Sequence, residues 1–367
     1  MGASDTPVVK NDGFSDVFNV RQHLQRGQVI PAHPLALTPS RTLDVRHQRA
    51  LTRYYADAGA GGMAVGVHTT GFPIHNASIG LYRPVLELAA ETASAALEAS
   101  PRPFVRVAGL IGDTAQALRE TQIALALGYH CGLLSLGAWR DASDADIIAH
   151  CRRVAEAIPL FGFYLQPAVG GRRLSYRFWR EFAEISNVVA VKVAPFDRYA
   201  TLEVVRALAD AGRDDIALYT GNDGAIVPDL VTDIPVTSGG REYTRHFTGG
   251  LLGQWAVWTS RAVELLHEIQ AWRASGATSL PTAWLTRGAA LTMANAVIFD
   301  AAHDYRGCLP GILEVLRRQG LVRGTWTFDT QEQLSPGQAE QLARLSSLYP
   351  DLHDDAFVQA HLDRWLA

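Results

Sequence analysis

From residue 28 onward, short apolar runs alternate with stretches of helical spacing. The runs 29–37, 61–67, 104–109, 131–136, 160–165, 188–193, 216–220 and 234–237 predict eight strands. Amphipathic patterns over 42–58, 81–98, 113–127, 143–157, 175–185 and 201–211 predict helices between them, with a short one after the seventh strand. Ser143 and Asp146 have capping-box spacing, with Asp in place of Glu. Eight strands in about 210 residues, nearly all followed by a helix, point to an α/β fold of the (β/α)8 TIM-barrel type. The alternative is a doubly wound sheet, which is weakened because no GxGxxG follows the first strand. After about residue 250 the strand signals stop, and 251–274, 282–302, 309–319, 335–348 and 355–367 are helix-like. The expected organisation is an N-terminal extension (1–27), a barrel (28–248) and a C-terminal helical region packed on it (249–367).

Composition narrows the class of partner. The chain has 367 residues, 48% of them hydrophobic, enough for a substantial core. A formal net charge of −4 leaves no basic footprint, so no nucleic-acid partner is expected. Cys131, Cys151 and Cys308 are widely spaced, with no CxxC pair; Cys131 and Cys151 read as packing thiols, and a reducing cytoplasm fits best. Residues 1–27 lack the apolar segment of a secretory signal, and no window is apolar enough to span a bilayer.

One residue type is conspicuously rare. There are two lysines against thirty-one arginines. Lys10 lies in the polar N-terminal stretch, which reads as disordered, whereas Lys192 stands inside the β-branched run Val188-Val189-Ala190-Val191-Lys192-Val193. Burying an ammonium is expensive, and the usual escape is a lowered pKa that leaves a neutral amine. A neutral amine is a nucleophile toward carbonyls and forms Schiff bases, chemistry that arginine does not do. The plain alternative is a lysine that snorkels to water or pairs with an acid.

In an eight-stranded barrel, reactive groups gather at the C-terminal strand ends. Those ends here carry His68-Thr69-Thr70-Gly71 (strand two), Tyr164-Leu165-Gln166-Pro167 (strand five), Lys192 (strand six), Gly221-Asn222-Asp223 (strand seven) and Thr237-Ser238-Gly239-Gly240 (strand eight). Taken singly each has an ordinary reading. Tyr164 is a half-buried core tyrosine, the threonine pair belongs to a turn, and Gly221-Asn222-Asp223-Gly224 caps the next helix.

In that order and at those strand ends, Thr69-Thr70-Gly71, Tyr164-x-x-Pro167, Lys192 and Gly221-Asn222-Asp223 resemble the dihydrodipicolinate synthase and N-acetylneuraminate lyase family of class I lyases. The likeness spans roughly residues 28–350. It implies that Lys192 attacks the carbonyl of a 2-oxo acid of the pyruvate type and forms an iminium. Tyr164 would shuttle protons beside it. Thr69 and Thr70 would hold the carboxylate and extend the relay. His68, Gly71, Phe72, Trp139, Gly221, Asn222, Asp223 and Ser238 would line the substrate site. The resemblance implies no metal or dissociable cofactor, and a homo-oligomer, either dimer or tetramer.

The chain also departs from the family pattern. His68 and Phe72 stand where the family has Gly and Glu. Val169 stands near the place of the arginine that binds the second substrate in the synthases, so a true dihydrodipicolinate synthase is not expected; Arg172 and Arg173 follow and could substitute only if their loop bends back. The loop after strand four, Ser135-Leu136-Gly137-Ala138-Trp139, lacks the second tyrosine that synthases lend to a neighbouring subunit. Phe72 and Trp139 suggest a bulky or apolar second fragment. The leading expectation is therefore a Schiff-base lyase or aldolase. The alternatives are a Schiff-base dehydratase of a 2-oxo-3-deoxy sugar acid, or an inactive barrel with a binding or regulatory role.

Overall fold

The computed structural model describes residues 18–367; residues 1–17, Lys10 among them, lie outside the described residues. Its strands are β1 (Val29–Pro31), β2 (Gly62–Val65), β3 (Val105–Leu110), β4 (Cys131–Leu134), β5 (Leu160–Leu165), β6 (Val188–Ala194), β7 (Ala217–Thr220), β8 (Ile234–Ser238), β9 (Arg241–Arg245) and β10 (Gly249–Leu252). Eight of them form one parallel sheet in the order β1-β10-β7-β6-β5-β4-β3-β2. The two edges meet: Gly61 N–H donates to Val29 O at 3.0 Å and His33 N–H to Ala64 O at 2.8 Å, closing the barrel.

Because successive side chains on a strand face opposite ways, each barrel strand feeds two cores. Ile30, Val107, Leu133, Phe161, Phe163, Ala190, Tyr219 and Leu251 fill the interior. Val65, Leu110, Leu134, Tyr164, Val191, Val193 and Leu218 belong to the larger core between strands and helices. Both faces of such strands are dry, which is why they read as continuous apolar runs.

The eighth barrel strand is not the one the sequence predicts. The run 234–237 lies in β8, which pairs antiparallel with β9 in a hairpin outside the barrel. Its burial alternates, with Ile234 and Val236 covered and Pro235 and Thr237 exposed, as a one-faced strand should be. The barrel is completed by β10, buried throughout and paired with β7 and β1. Gly249 and Gly250 make that insertion possible. A Cβ on Gly249 would lie 2.4 Å from Gln28 O, and one on Gly250 would lie 2.7 Å from the Trp255 ring. The barrel thus runs past residue 248.

Part of the expected N-terminal extension is structural. Helix Val20–Gln25, capped by Asn19, closes the N-terminal mouth of the barrel. Leu24 is fully buried in the interior cluster and its carbonyl accepts from the Tyr219 hydroxyl at 2.8 Å. At the other end, helices Thr282–Ile298, Cys308–Arg318 and Gln338–Leu348 belong to the C-terminal region, and residues between the first two and within the second reach the rim. Helix Asp355–Leu366 packs on Val45–Asp57, where Trp365 and Tyr54 stand 5.4 Å apart and Tyr54 donates to Asp354 at 2.7 Å. Among the described residues no helix is long and apolar enough to cross a membrane.

Candidate active site

Lys192 lies on β6 in direct register with Phe163 of β5 and Tyr219 of β7, all three inside the barrel. The residue is 8% exposed, and Nζ sits 4.6 Å from the centre of the Phe163 ring. Among the described residues the amine has no hydrogen-bond or ion-pair partner; Asp223 is the charge that acts on it. Burial lowers its pKa from 10.5 to about 8, and the Asp223 carboxylate works in the opposite direction. Gly221 leaves the passage for the lysine stem, since a Cβ there would lie 2.7 Å from Lys192 Cε and 2.7 Å from Ala194 Cβ.

The amine opens into a cavity of about 50 Å³ whose lining includes His68, Thr69, Gln166, Asp223, Phe299 and Tyr305. Burial raises the Asp223 carboxyl to about 6, against the pull of the Lys192 charge. One carboxylate oxygen accepts from Gln254 N–H at 3.1 Å, and the Asp223 carbonyl accepts from Asn295 Nδ2 at 2.7 Å. Burial and then the Lys192 charge lower His68 to about 4, so its imidazole is neutral at physiological pH. His68 and Thr69 also line a second chamber of about 420 Å³, walled by Leu35, Phe72, Leu313, Trp326 and Phe328 with Arg306 and Glu332 at its polar side. The two spaces therefore share a wall. Among the described residues no cluster of three or more His, Cys, Asp or Glu side chains is placed to hold a metal ion.

Several residues expected at the site do other work. Tyr164 pairs with Val193, and both face outward because they follow the inward pair Phe163 and Lys192 by one residue. Its ring packs 5.4 Å from Trp179; its hydroxyl donates to Leu174 O and accepts from Leu174 N–H, both at 3.3 Å. The phenol is thus on the wrong side of the strand for the lysine. Thr70 is equally committed: its hydroxyl donates to His33 O (2.7 Å) and accepts from the N–H groups of Gly66 (3.0 Å) and Val67 (3.2 Å). It locks the rim loop, in which Gly71 turns at φ +91°.

Asn222 is buried and donates to Thr201 Oγ1 (3.1 Å) and Asp229 Oδ2 (2.9 Å), while its carbonyl accepts from Phe196 N–H (3.1 Å). It braces the loop after β6 rather than the cavity. Trp139 stacks on His150 at 4.6 Å and donates to Gly112 O at 3.1 Å, away from both spaces. Arg172 spends its guanidinium on Trp139 O (3.0 Å), Ala142 O (2.8 Å) and Asp144 (3.3 Å), and Arg173 is exposed. Ser238 lies at the end of the β8–β9 hairpin, outside the barrel. Conversely Phe299, Tyr305, Cys308 and Ile312 line the lysine cavity from the C-terminal region. No periodicity marks them; the break between helical patterns around 303–308 is the sole local cue.

The fold and the site together define a closed (β/α)8 barrel with a desolvated amine under its C-terminal rim. No family model matches the chain. It is 32% identical over 117 residues to the 4-hydroxy-tetrahydrodipicolinate synthase of Exiguobacterium sibiricum, covering 32% of this chain and 39% of that protein. The chain thus spans about two-fifths of the length of the curated relatives it matches first. Among solved structures, the dihydrodipicolinate synthase of Acinetobacter baumannii complexed with pyruvate matches with a TM-score of 0.69 at 18% identity, covering 88% of this chain and 98% of that one. N-acetylneuraminate lyase from Fusobacterium nucleatum matches with a TM-score of 0.68 at 15% identity, covering 90% and 99%. At those identities the structures establish the shared fold. The sequence matches add a likeness to the 4-hydroxy-tetrahydrodipicolinate synthases over about a third of the chain, which makes this chain a divergent relative of those proteins.

Proposed function

We propose that the protein is a lyase that forms a Schiff base between Lys192 and a 2-oxo acid of the pyruvate type. The observation that carries this reading is the amine itself, buried, unpaired and brought down to about 8 at the wall of a small cavity. At pH 7.5 roughly a quarter of it is neutral, against about one part in a thousand for an ordinary lysine. Nucleophilic attack on a ketone needs that neutral form. Asp223, ionised above about 6 and lining the same cavity, is the candidate acceptor, by way of a water, for the proton that nitrogen sheds as the C–N bond forms. Thr69, with its hydroxyl free among the described residues, is the candidate for the substrate carboxylate. The iminium then draws electrons from the adjacent bond and permits C–C cleavage or addition.

The cavity at the amine is small, about 50 Å³, so the bulk of any larger substrate belongs in the 420 Å³ chamber across His68 and Thr69. Its walls of Phe72, Trp326 and Phe328 favour a bulky apolar fragment. A true dihydrodipicolinate synthase is not supported. Arg172 is consumed by the loop it ties, and the arginine that lines the second chamber, Arg306, comes from the C-terminal region and not from the stretch after β5.

Borohydride reduction in the presence of pyruvate, followed by intact-mass measurement, tests the reading. A stable adduct that maps to Lys192 is expected, and its absence across a panel of 2-oxo acids would favour a binding role. If only small, highly charged sugar acids react, the apolar second fragment is wrong.

A further inference from the structure

We infer that Tyr305, carried on the loop between two C-terminal helices, provides the phenol that moves protons at the Lys192 imine, in place of the outward-facing Tyr164. The inference rests on the Schiff-base reading and assigns a residue that the barrel strands do not supply.

Tyr305 lines the same 50 Å³ cavity as Lys192 and Asp223, and among the described residues it is the one tyrosine in that lining. Its ring meets Phe196 edge-on, with centroids 5.8 Å apart. Among the described residues its hydroxyl has no hydrogen-bond partner, whereas the Tyr164 hydroxyl both donates to and accepts from Leu174. Burial, and then the Asp223 charge, raise the phenol above its ordinary value, so it begins the cycle with its proton.

The backbone that presents it is strained. Tyr305 has φ +64°, Asp304 +54° and Asp300 +56°, and none is glycine. Left-handed backbone is costly for residues that carry a side chain. Asp300 holds the loop against that cost. Its carboxylate accepts from Gly307 N–H (3.0 Å) and Ser335 Oγ (2.5 Å) and meets His303 Nδ1 (2.6 Å), while its carbonyl accepts from Tyr305 N–H (3.1 Å). Strain maintained by a buried clamp marks a position kept for what it presents, here a phenol on the reaction cavity.

The proton balance closes with these groups. As Lys192 Nζ bonds to the substrate C2, the carbonyl π pair moves to oxygen, which takes the Tyr305 proton. Nitrogen passes one proton to Asp223. The C2–O bond then breaks, the hydroxyl leaves as water with the proton Asp223 held, and the nitrogen lone pair closes the iminium. The Tyr305 phenolate, stabilised by the adjacent cation, removes a C3 proton to give the enamine and regain its phenol.

Pyruvate in D2O, with its methyl protons followed by NMR, reads C3 deprotonation directly. Tyr305→Phe keeps the ring contact with Phe196. It is expected to reach the same final extent of borohydride-trapped Lys192 adduct, but to exchange methyl protons at least about tenfold more slowly than the unaltered chain. Tyr164→Phe is expected to exchange less than about threefold more slowly. A smaller loss of exchange in Tyr305→Phe, a larger one in Tyr164→Phe, or a Tyr305→Phe protein that forms no adduct while the unaltered chain does, would overturn the assignment of Tyr305. No adduct on the unaltered chain would remove the Schiff-base reading, and Tyr305 with it.

Discussion

Phe163 and Lys192 stand opposite one another on neighbouring strands, with the amine 4.6 Å from the centre of the ring. The aromatic face contacts the nitrogen without giving it a proton acceptor. A charged amine gains some attraction there, yet less than it loses by leaving water, which is why the net movement of its pKa is downward. The same register sends Tyr164 and Val193 outward, so one pairing both buries the amine in the barrel and removes the tyrosine expected beside it.

Replacing the amine should make the protein more stable. The unfolded chain holds the Lys192 proton up to 10.5, the folded protein only up to about 8. Below 8 the folded state bears the full penalty, and the penalty fades as pH rises toward 10.5. Lys192→Met should therefore gain about 3 kcal/mol at pH 7 and much less at pH 10.5. Denaturant titrations at both pH values check this, and a variant less stable at pH 7 would contradict it.

Asp223→Asn separates the two ionisations. The carboxylate favours the ammonium form of Lys192, so removing it should move the midpoint of imine formation below 8. The plateau rate should drop by about 100-fold through loss of the proton acceptor. Rates of cyanoborohydride trapping across pH 5.5–9.5, about the range over which both groups titrate, would show both effects. An unchanged midpoint would mean that the two charges do not interact.

Gly221→Ala places a methyl 2.7 Å from Lys192 Cε and 2.7 Å from Ala194 Cβ. The lysine stem is the softer neighbour and should move. Displacement of a reacting atom by about 1 Å commonly lowers rate by about 100-fold. Adduct formation should slow by about that factor while the far-ultraviolet spectrum stays native.

Thr70→Val tests the rim lock. The hydroxyl satisfies the N–H groups of Gly66 and Val67 and donates to His33 O, all in a dry setting. A methyl leaves those groups unpaired, and a loss of about 3 kcal/mol in unfolding free energy is expected. A loss under about 1 kcal/mol would show that the loop finds other partners.

Much of this protein is legible along the chain because it is local. The alternation of dry strands and one-faced helices follows from side-chain periodicity, and seven of the eight barrel strands follow from it directly. The rarity of lysine, and its place in a β-branched run, marked Lys192 before any neighbour was known. What adjacent residues face was not local. Tyr164 and Phe163 are both aromatic and adjacent, and only pairing with β6 decides which of them shares the interior with the amine. The same holds for β10: its stretch falls where strand signals stop and a helical pattern is expected, and only Gln28 and Trp255, pressed against its two glycines, place it in the barrel. Tyr305 is separated from Lys192 by more than a hundred residues of chain, and a strained loop clamped by Asp300 brings it to the same cavity. Periodicity therefore determined the barrel, and the rarity of lysine its buried amine. Long-range packing, which depends on distant side chains excluding one another, decided which groups surround it.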